Sequence, residues 1–339
     1  MIASSNTYKK AINAVASEID VPGGRILVTG ATGLIGSCII DVLMAANKYY
    51  DKHFEIYALG RNKEKLIARF GNAQDLYYVV QDVLEPIKTP NLDYIIHAAS
   101  NADPKSYALY PVETILTNVD GARNVLEYCK GKKTRVLFTS TFEVYGKLDQ
   151  DVYSEDQYGT VDLNLIRSCY PESKRTAEML FKSYADEYGV DCVIARLSSI
   201  YGPTMKEDDS KAHAQFIRNA LAKENIVLKS KGEQIRTYCY VMDAVSGLLT
   251  VLFKGKTGEA YNVANKDSIA SIAEVARTIA DFAGTEVVFD LPDEIENKGF
   301  SKPQNCILKT DKINGLGWKG HYELKTGINE TIVILKESK

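Results

Sequence analysis

Eight consecutive residues constrain the fold of this chain more than any others: Thr29-Gly30-Ala31-Thr32-Gly33-Leu34-Ile35-Gly36, set between a short apolar run and a longer helical stretch. Glycine at the first spaced position permits a tight turn out of a strand. At the second it lets backbone approach a bound group, and at the third it lets the following helix pack closely on the strand. The helix start behind the turn offers unsatisfied N–H groups and a partial positive charge, which together suit an anion. Strand, turn and helix in this order predict a Rossmann-type unit that cradles a dinucleotide pyrophosphate with Gly30, Thr32, Gly33, Leu34, Ile35 and Gly36. A merely structural turn is the competing reading.

The N-terminal half repeats that rhythm. Strands are expected at residues 25–28, 54–59, 76–80, 94–98, 135–139 and 191–197, with helices at 34–47, 63–70, 112–129 and 170–188. Short buried runs alternating with helices predict a doubly wound parallel α/β sheet covered on both faces. An amphipathic helix at residues 7–19 precedes them, ended by Pro22-Gly23-Gly24. Beyond Arg196 a polar loop at residues 203–212 breaks the pattern. Helices at 214–223, 243–252 and 271–283 and strands at 226–228 and 286–289 then read as α+β. The expected division is a Rossmann domain over residues 1–196 and a smaller α+β substrate domain over 197–339, with elements near 237–265 returning to the sheet.

Composition narrows the class of partner. The 339 residues are 45% apolar and 25% charged, enough for a sizeable core, and the net charge of −3 leaves no positive excess for a nucleic acid or an anionic membrane. The six cysteines lack paired spacing and read as reduced thiols, and the four histidines lie too far apart for a metal site. No stretch approaches the roughly 18 to 20 apolar residues of a membrane span. A cytoplasmic protein is expected.

The second expected strand ends in Ala58-Leu59-Gly60-Arg61-Asn62, without the carboxylate that would bind adenosine ribose hydroxyls. Arg61 would instead meet a 2′-phosphate, or stand in solvent, so NAD and NADP both remain open. Asp82, followed by Val83, suits the adenine amino group or caps a turn.

Tyr170 and Lys174 are four residues apart at the start of a helix and so share one face. A tyrosine with a reference pKa of about 10 is a poor base at neutral pH. A neighbouring ammonium favours the phenolate, which can then take a hydroxyl proton. Downstream of a Rossmann turn and of Ser140-Thr141, this pair points to hydride-transfer chemistry.

With these residues in view, the chain resembles the extended short-chain dehydrogenases that modify nucleotide sugars, the NAD-dependent epimerase/dehydratase family. The likeness runs from Gly24 to about Glu337. It is carried by the glycine turn, His97-Ala98-Ala99, Asn118, the stretch from Ser140 to Gly146, Tyr170 to Lys174, Arg196 with Tyr201-Gly202-Pro203, and Arg236 with Tyr240 to Asp243. The resemblance implies Tyr170 as base, Lys174 as its partner and ribose ligand, and Thr141 as the hydroxyl orienting a sugar. It also implies Ala98, Ala99, Ser100 and Asn118 beside the cofactor. Within the family, Arg167-Ser168-Cys169-Tyr170-Pro171-Glu172-Ser173-Lys174-Arg175, Tyr107 and Pro111 look like UDP-glucuronate decarboxylases. Glu143 falls where those enzymes and 4,6-dehydratases keep a catalytic glutamate; a solvated carboxylate is the plainer reading.

The departures are specific. Phe142 stands where sugar 4,6-dehydratases carry an acidic proton donor, and Ser301-Lys302-Pro303 lacks the arginine that decarboxylases place before Lys-Pro. Ser199 and Gln215 replace asparagines, and Lys211 and Thr204 replace arginines, which removes planar bidentate anion contacts. Tyr107, Arg167, Lys211 and Arg236 are the candidates for contacts to a nucleotide-sugar substrate. The expected chemistry is transient oxidation to a 4-keto sugar followed by decarboxylation or epimerisation. An NADPH-consuming keto-sugar reductase and a non-catalytic dinucleotide-binding protein are the alternatives. The resemblance also implies a homodimer through the helices at 112–129 and 170–188. Their apolar positions Ile115, Val119, Val125, Leu126, Ala177, Leu180, Phe181 and Tyr184 suit an interface or an internal core equally.

Overall fold

The structure is a computed structural model that describes residues 2–291 and 304–338. The departure at Ser301-Lys302-Pro303 lies outside the described residues. The first five strands are β1 (Gly23–Thr29), β2 (His53–Gly60), β3 (Leu76–Val80), β4 (Tyr94–His97) and β5 (Arg135–Thr141). After the short β6 (Val152–Tyr153) come β7 (Cys192–Leu197), β8 (Ser199–Tyr201), β9 (Ile226–Leu228), β10 (Ile235–Tyr240) and β11 (Ala260–Val263). Seven of these form one parallel sheet in the order β11-β7-β5-β4-β1-β2-β3. Strand order reverses between β1 and β4, and in open α/β sheets ligands bind outside the carboxyl ends of the strands at such a point.

Alternation along each strand divides its side chains between two cores. Ile26 and Val28 of β1 join Ile56, Ile96, Leu137 and Val193 on one face. Leu27 joins Tyr57, Ile95, Val136, Phe138 and Ile194 on the other. The first face is covered by α1 (Asn6–Ser17), α2 (Leu34–Tyr50) and, later in the chain, a helix at Val241–Lys254. The second is covered by α5 (Pro111–Cys129) and α6 (Cys169–Tyr188), which follow α3 (Lys63–Phe70) and α4 (Pro104–Leu109) in the chain. Burial on both faces explains why the strands read as continuous apolar runs.

Three local readings change. Pro22-Gly23-Gly24 does not simply end the first helix: Gly23 and Gly24 open β1 with φ of +137° and +133°, where L side chains are strained. A Cβ on Gly23 would lie 2.4 Å from the His53 carbonyl carbon. Helix α7 (Ala212–Leu221) begins two residues before its expected start at 214. Of the elements near 237–265, β10 pairs with β8 and with β12 (Ile269–Ser271) in a small sheet, whereas α8 (Val241–Lys254) and β11 belong to the main layers. Helix α9 (Ile272–Ala283), capped by Ser271 and Glu274, leads to β13 (Val287–Phe289), which pairs with β9. Strand β14 (Ile307–Leu308) pairs with β6, and a terminal helix at Leu324–Glu337 returns to α1, where Glu337 accepts from Ser5 Oγ at 2.5 Å.

One buried ion pair ties the second face together. Glu178 of α6 meets Arg196 of β7 at 2.7 Å, and both side chains are almost enclosed. Ser140 of β5 donates to Glu178 Oε1 at 2.5 Å. The Arg196 guanidinium also donates to the Glu155 carbonyl at 3.0 Å and lies 4.8 Å from the Tyr145 ring centre. Removing one partner strands the other as an uncompensated buried charge. Glu178→Ala is therefore expected to cost about 3 to 5 kcal/mol of unfolding free energy by denaturant titration, and a double apolar replacement of Glu178 and Arg196 much less.

Candidate active site

Gly30 sits at φ +67°, and a Cβ there would lie 2.7 Å from the Ala98 carbonyl oxygen. A Cβ on Gly36 would lie 2.4 Å from Gly30 O. Gly33 is the N-cap of α2 without a side-chain cap, and the first turn of α2 carries no acidic residue. The leading N–H groups of a helix have no intrahelical partners, so this cradle fits a pyrophosphate in shape and in charge.

The junction of β1 with β4 is held by one hydroxyl. Thr29 Oγ1 accepts from the N–H groups of Ala98 (3.1 Å) and Ala99 (3.0 Å) and lies 2.9 Å from His97 Nδ1. With both acceptor positions taken, its proton goes to Nδ1, leaving Nε2 protonated, buried and without a partner. Burial, and secondarily the Lys174 charge, lower the His97 pKa to about 3, so the ring is neutral.

The adenosine side is more open. Arg61 is exposed and 3.8 Å from Asp82, whose Oδ1 caps the Leu84 N–H at 3.0 Å. Val83 is buried beneath them. Ser100 Oγ donates to Asn118 at 2.7 Å, Asn118 to Ser173 Oγ at 2.9 Å, and Ser173 to the Tyr170 carbonyl at 3.0 Å. This chain couples the end of β4 to the start of α6.

On α6, Tyr170 and Lys174 face inward together. Lys174 Nζ donates to the Thr139 carbonyl at 2.9 Å and lies 4.6 Å from the Phe138 ring centre. Burial lowers its pKa to about 7, against an opposing pull from Glu178. Tyr170 stacks on Tyr107 of α4 at 5.2 Å and 19°. Burial first and the Glu143 charge second push its phenol above the ordinary range, while a hydrogen bond with Thr141 pulls it down.

The short turn Phe142–Tyr145 presents Glu143, whose N–H is received by Thr141 Oγ1 at 3.3 Å. Arg167 Nη2 bonds Glu143 at 3.0 Å and the Tyr107 hydroxyl at 3.3 Å. Arg236 of β10 lies 5.3 Å from the Phe142 ring centre, and its buried Nε has no partner. The structure thus brings together Thr141, Glu143, Tyr170, Lys174, Tyr107 and Arg167, with Arg236 adjoining through Phe142. Lys211 pairs within its own loop, 3.4 Å from Asp209.

Sequence reasoning missed Asp103. Its Oδ1 receives the Ser210 N–H (2.8 Å) and hydroxyl (2.6 Å), while Thr204 Oγ1 donates to the Leu34 carbonyl at 2.7 Å. The 203–212 loop is thereby fastened to the cofactor side at both ends. The local signal was available: an Asp before Pro104 is a helix N-cap signature, and Asp103 does cap α4. Among the described residues no group of His, Cys, Asp and Glu could hold a metal ion, and no helix is long and apolar enough to cross a membrane.

Residues 26–264 match the NAD dependent epimerase/dehydratase family. The chain belongs to that family and is an enzyme of it. It is 35% identical over 308 residues to UDP-glucuronic acid decarboxylase 6 of Arabidopsis thaliana, covering 90% of this chain and 86% of the relative. It is 33% identical over 314 residues to UDP-glucuronic acid decarboxylase 1 of Xenopus tropicalis, covering 91% and 71%. Among solved structures, a dTDP-glucose 4,6-dehydratase of Streptomyces venezuelae with NAD bound superposes with a TM-score of 0.79 at 25% identity, covering 92% of this chain and 97% of that one.

The contact of Gly36 with Gly30 O gives a direct test of the cradle. Gly36→Ala must displace the turn or the helix start, and at least a tenfold loss of dinucleotide affinity, about 1.4 kcal/mol, is expected in a calorimetric titration with NAD.

Proposed function

We propose that this enzyme oxidises a nucleotide sugar at C4 for the span of one turnover, with a UDP-hexuronate as substrate and loss of its carboxyl group as outcome. The observation that carries this reading is the convergence of Tyr170, Lys174 and Thr141 beside the glycine cradle, since binding alone requires none of the three. The sequence likeness to UDP-glucuronic acid decarboxylases over most of the chain supports the choice of substrate.

In this reading NAD lies along the Gly30–Gly36 turn, with Ala98, Ala99, Ser100 and Asn118 beside it, and Asp82, close to Arg61, disfavours a 2′-phosphate there. When bound, the nicotinamide supplies the hydride acceptor and later gives the hydride back. Tyr170 takes the proton of the C4 hydroxyl. Lys174, held by the Thr139 carbonyl, offers its remaining N–H groups to the ribose and its charge to the phenolate. Thr141 orients the hydroxyl. Oxidation places a ketone β to the carboxylate, so carbon dioxide can leave with its bonding electrons passing into the enolate, and C5 then takes up a proton. Phe142, packed against Arg236, offers no proton to a leaving hydroxyl, which disfavours dehydration; epimerisation remains the competing outcome. Arg167, Tyr107, Arg236 and Lys211 form the substrate side, the first two from residues 1–196 and the last two from the chain after residue 197.

The enzyme works as a homodimer in this reading. Val125, Leu126, Ala177 and Phe181 are internal, but Val112, Ile115 and Leu116 of α5 and Met179 of α6 are exposed and apolar. Ile115→Glu with Met179→Lys is expected to yield a monomer in sedimentation equilibrium.

Incubating UDP-, CDP-, GDP- and dTDP-sugars with NAD or NADP, read by mass and NMR, tests the outcome. Loss of carbon dioxide from UDP-glucuronate is expected. Stoichiometric NADPH consumption would instead establish a reductase. Tyr170→Phe should lower turnover about 10² to 10⁴-fold with NAD affinity retained, and full turnover in that variant would sink the mechanism.

A further inference from the structure

Arg167 belongs to the single helical turn Ile166–Ser168 that precedes α6. One of its nitrogens, Nη2, reaches both Glu143 (3.0 Å) and the Tyr107 hydroxyl (3.3 Å). Tyr107 in turn lies flat against Tyr170. A single guanidinium therefore braces a carboxylate that acts on the Tyr170 phenol and the ring stacked upon it. The Arg167 side chain is 55% exposed, so its charge can be altered without opening the core.

We propose that Arg167 is a positioning residue that offsets the Glu143 charge beside Tyr170 and so sets the pH at which the phenol gives up its proton. The inference rests on the reading of Tyr170 as proton acceptor. A carboxylate near a phenol opposes a second negative charge, and a cation bonded to that carboxylate cancels much of the opposition. Arg167 bonds Glu143 at 3.0 Å and, at 3.3 Å, the hydroxyl of the ring stacked on Tyr170, and the Glu143 charge is second to burial among the causes that hold the phenol high.

Other groups face this cluster. Lys174 lies one turn further along α6, and Thr141 hydrogen-bonds the phenol from β5. From the start of α4, Asp103 acts on Tyr107. The Cys169 thiol donates to the Tyr107 carbonyl at 3.6 Å. Cys306, near Glu143, is held protonated by burial at a pKa of about 12, and Arg236 packs on Phe142. Among the described residues Arg167 is the cation paired with Glu143.

An electrostatic role differs from a scaffolding role in its sign. Arg167→Gln should move the acidic limb of the pH profile for sugar oxidation upward by about one unit, a tenfold slower rate on that limb. Glu143→Gln should move it downward, the double variant should return it close to wild type, and Arg167→Lys should retain most of the wild-type position. The same order should appear, without sugar, in the tyrosinate difference spectrum of NAD-loaded protein taken against Tyr170→Phe. Arg167→Met serves as the uncharged variant if the glutamine form does not fold. An unmoved limb and spectrum in the uncharged variant, or a double variant that stays displaced with it, would overturn the proposal. Turnover by Tyr170→Phe would instead remove the underlying reading of Tyr170, whatever the Arg167 variants do.

Discussion

The close approach of β1 to β4 is the constraint on which the site depends. The Ala98 carbonyl occupies the space a side chain at Gly30 would need, and the Thr29 hydroxyl receives the two N–H groups that follow His97. Buried backbone groups must be paired, and at the end of a strand the ladder no longer does so. Thr29 pairs them with a side chain, which lets both strands stop at the same level. His97 completes the arrangement as a neutral, buried ring that orients the hydroxyl proton.

Helix α6 then performs two tasks with one face. Tyr170, Ser173, Lys174 and Glu178 recur at spacings of three and four residues and are all buried. The first three reach toward the cofactor side, and the fourth anchors the helix to β5 and β7 through Ser140 and Arg196. Chemistry and stability thus share a rigid element. Lys174 feels both: its depressed pKa reflects enclosure by that packing, and Glu178 one turn on pulls in the opposite direction.

The fold was largely legible because its signals are local. The glycine turn, the alternating apolar runs and the Tyr170–Lys174 spacing each lie within one or two turns of chain. Gly23-Gly24 misled because a helix terminator and a strand start share the same residues, and only the backbone of His53 shows which applies. The apolar positions on α5 and α6 stayed open between interface and core for another reason: periodicity marks an apolar stripe without saying which part of it meets the sheet. What stayed hidden are contacts between distant segments, such as Asp103 with Ser210, Thr204 with Leu34, and Arg167 with Tyr107. No spacing rule encodes these, since they follow from how loops meet after the sheet is assembled.

The Glu178–Arg196 pair has a consequence for how this enzyme can change. Arg196 bonds Glu178, donates to the Glu155 carbonyl and lies beside Tyr145, so it joins the helix that carries Tyr170 to the turn that carries Glu143. Apolar pairs often replace buried ion pairs at little loss of stability. Here such a replacement would leave the Glu155 carbonyl without its donor and the Tyr145 ring of the turn without the cation against it. Evolutionary drift at these two positions is therefore restrained on two counts at once. Each single step strands a charge, and the tolerated double step removes a cation from beside the turn that carries the Glu143 carboxylate.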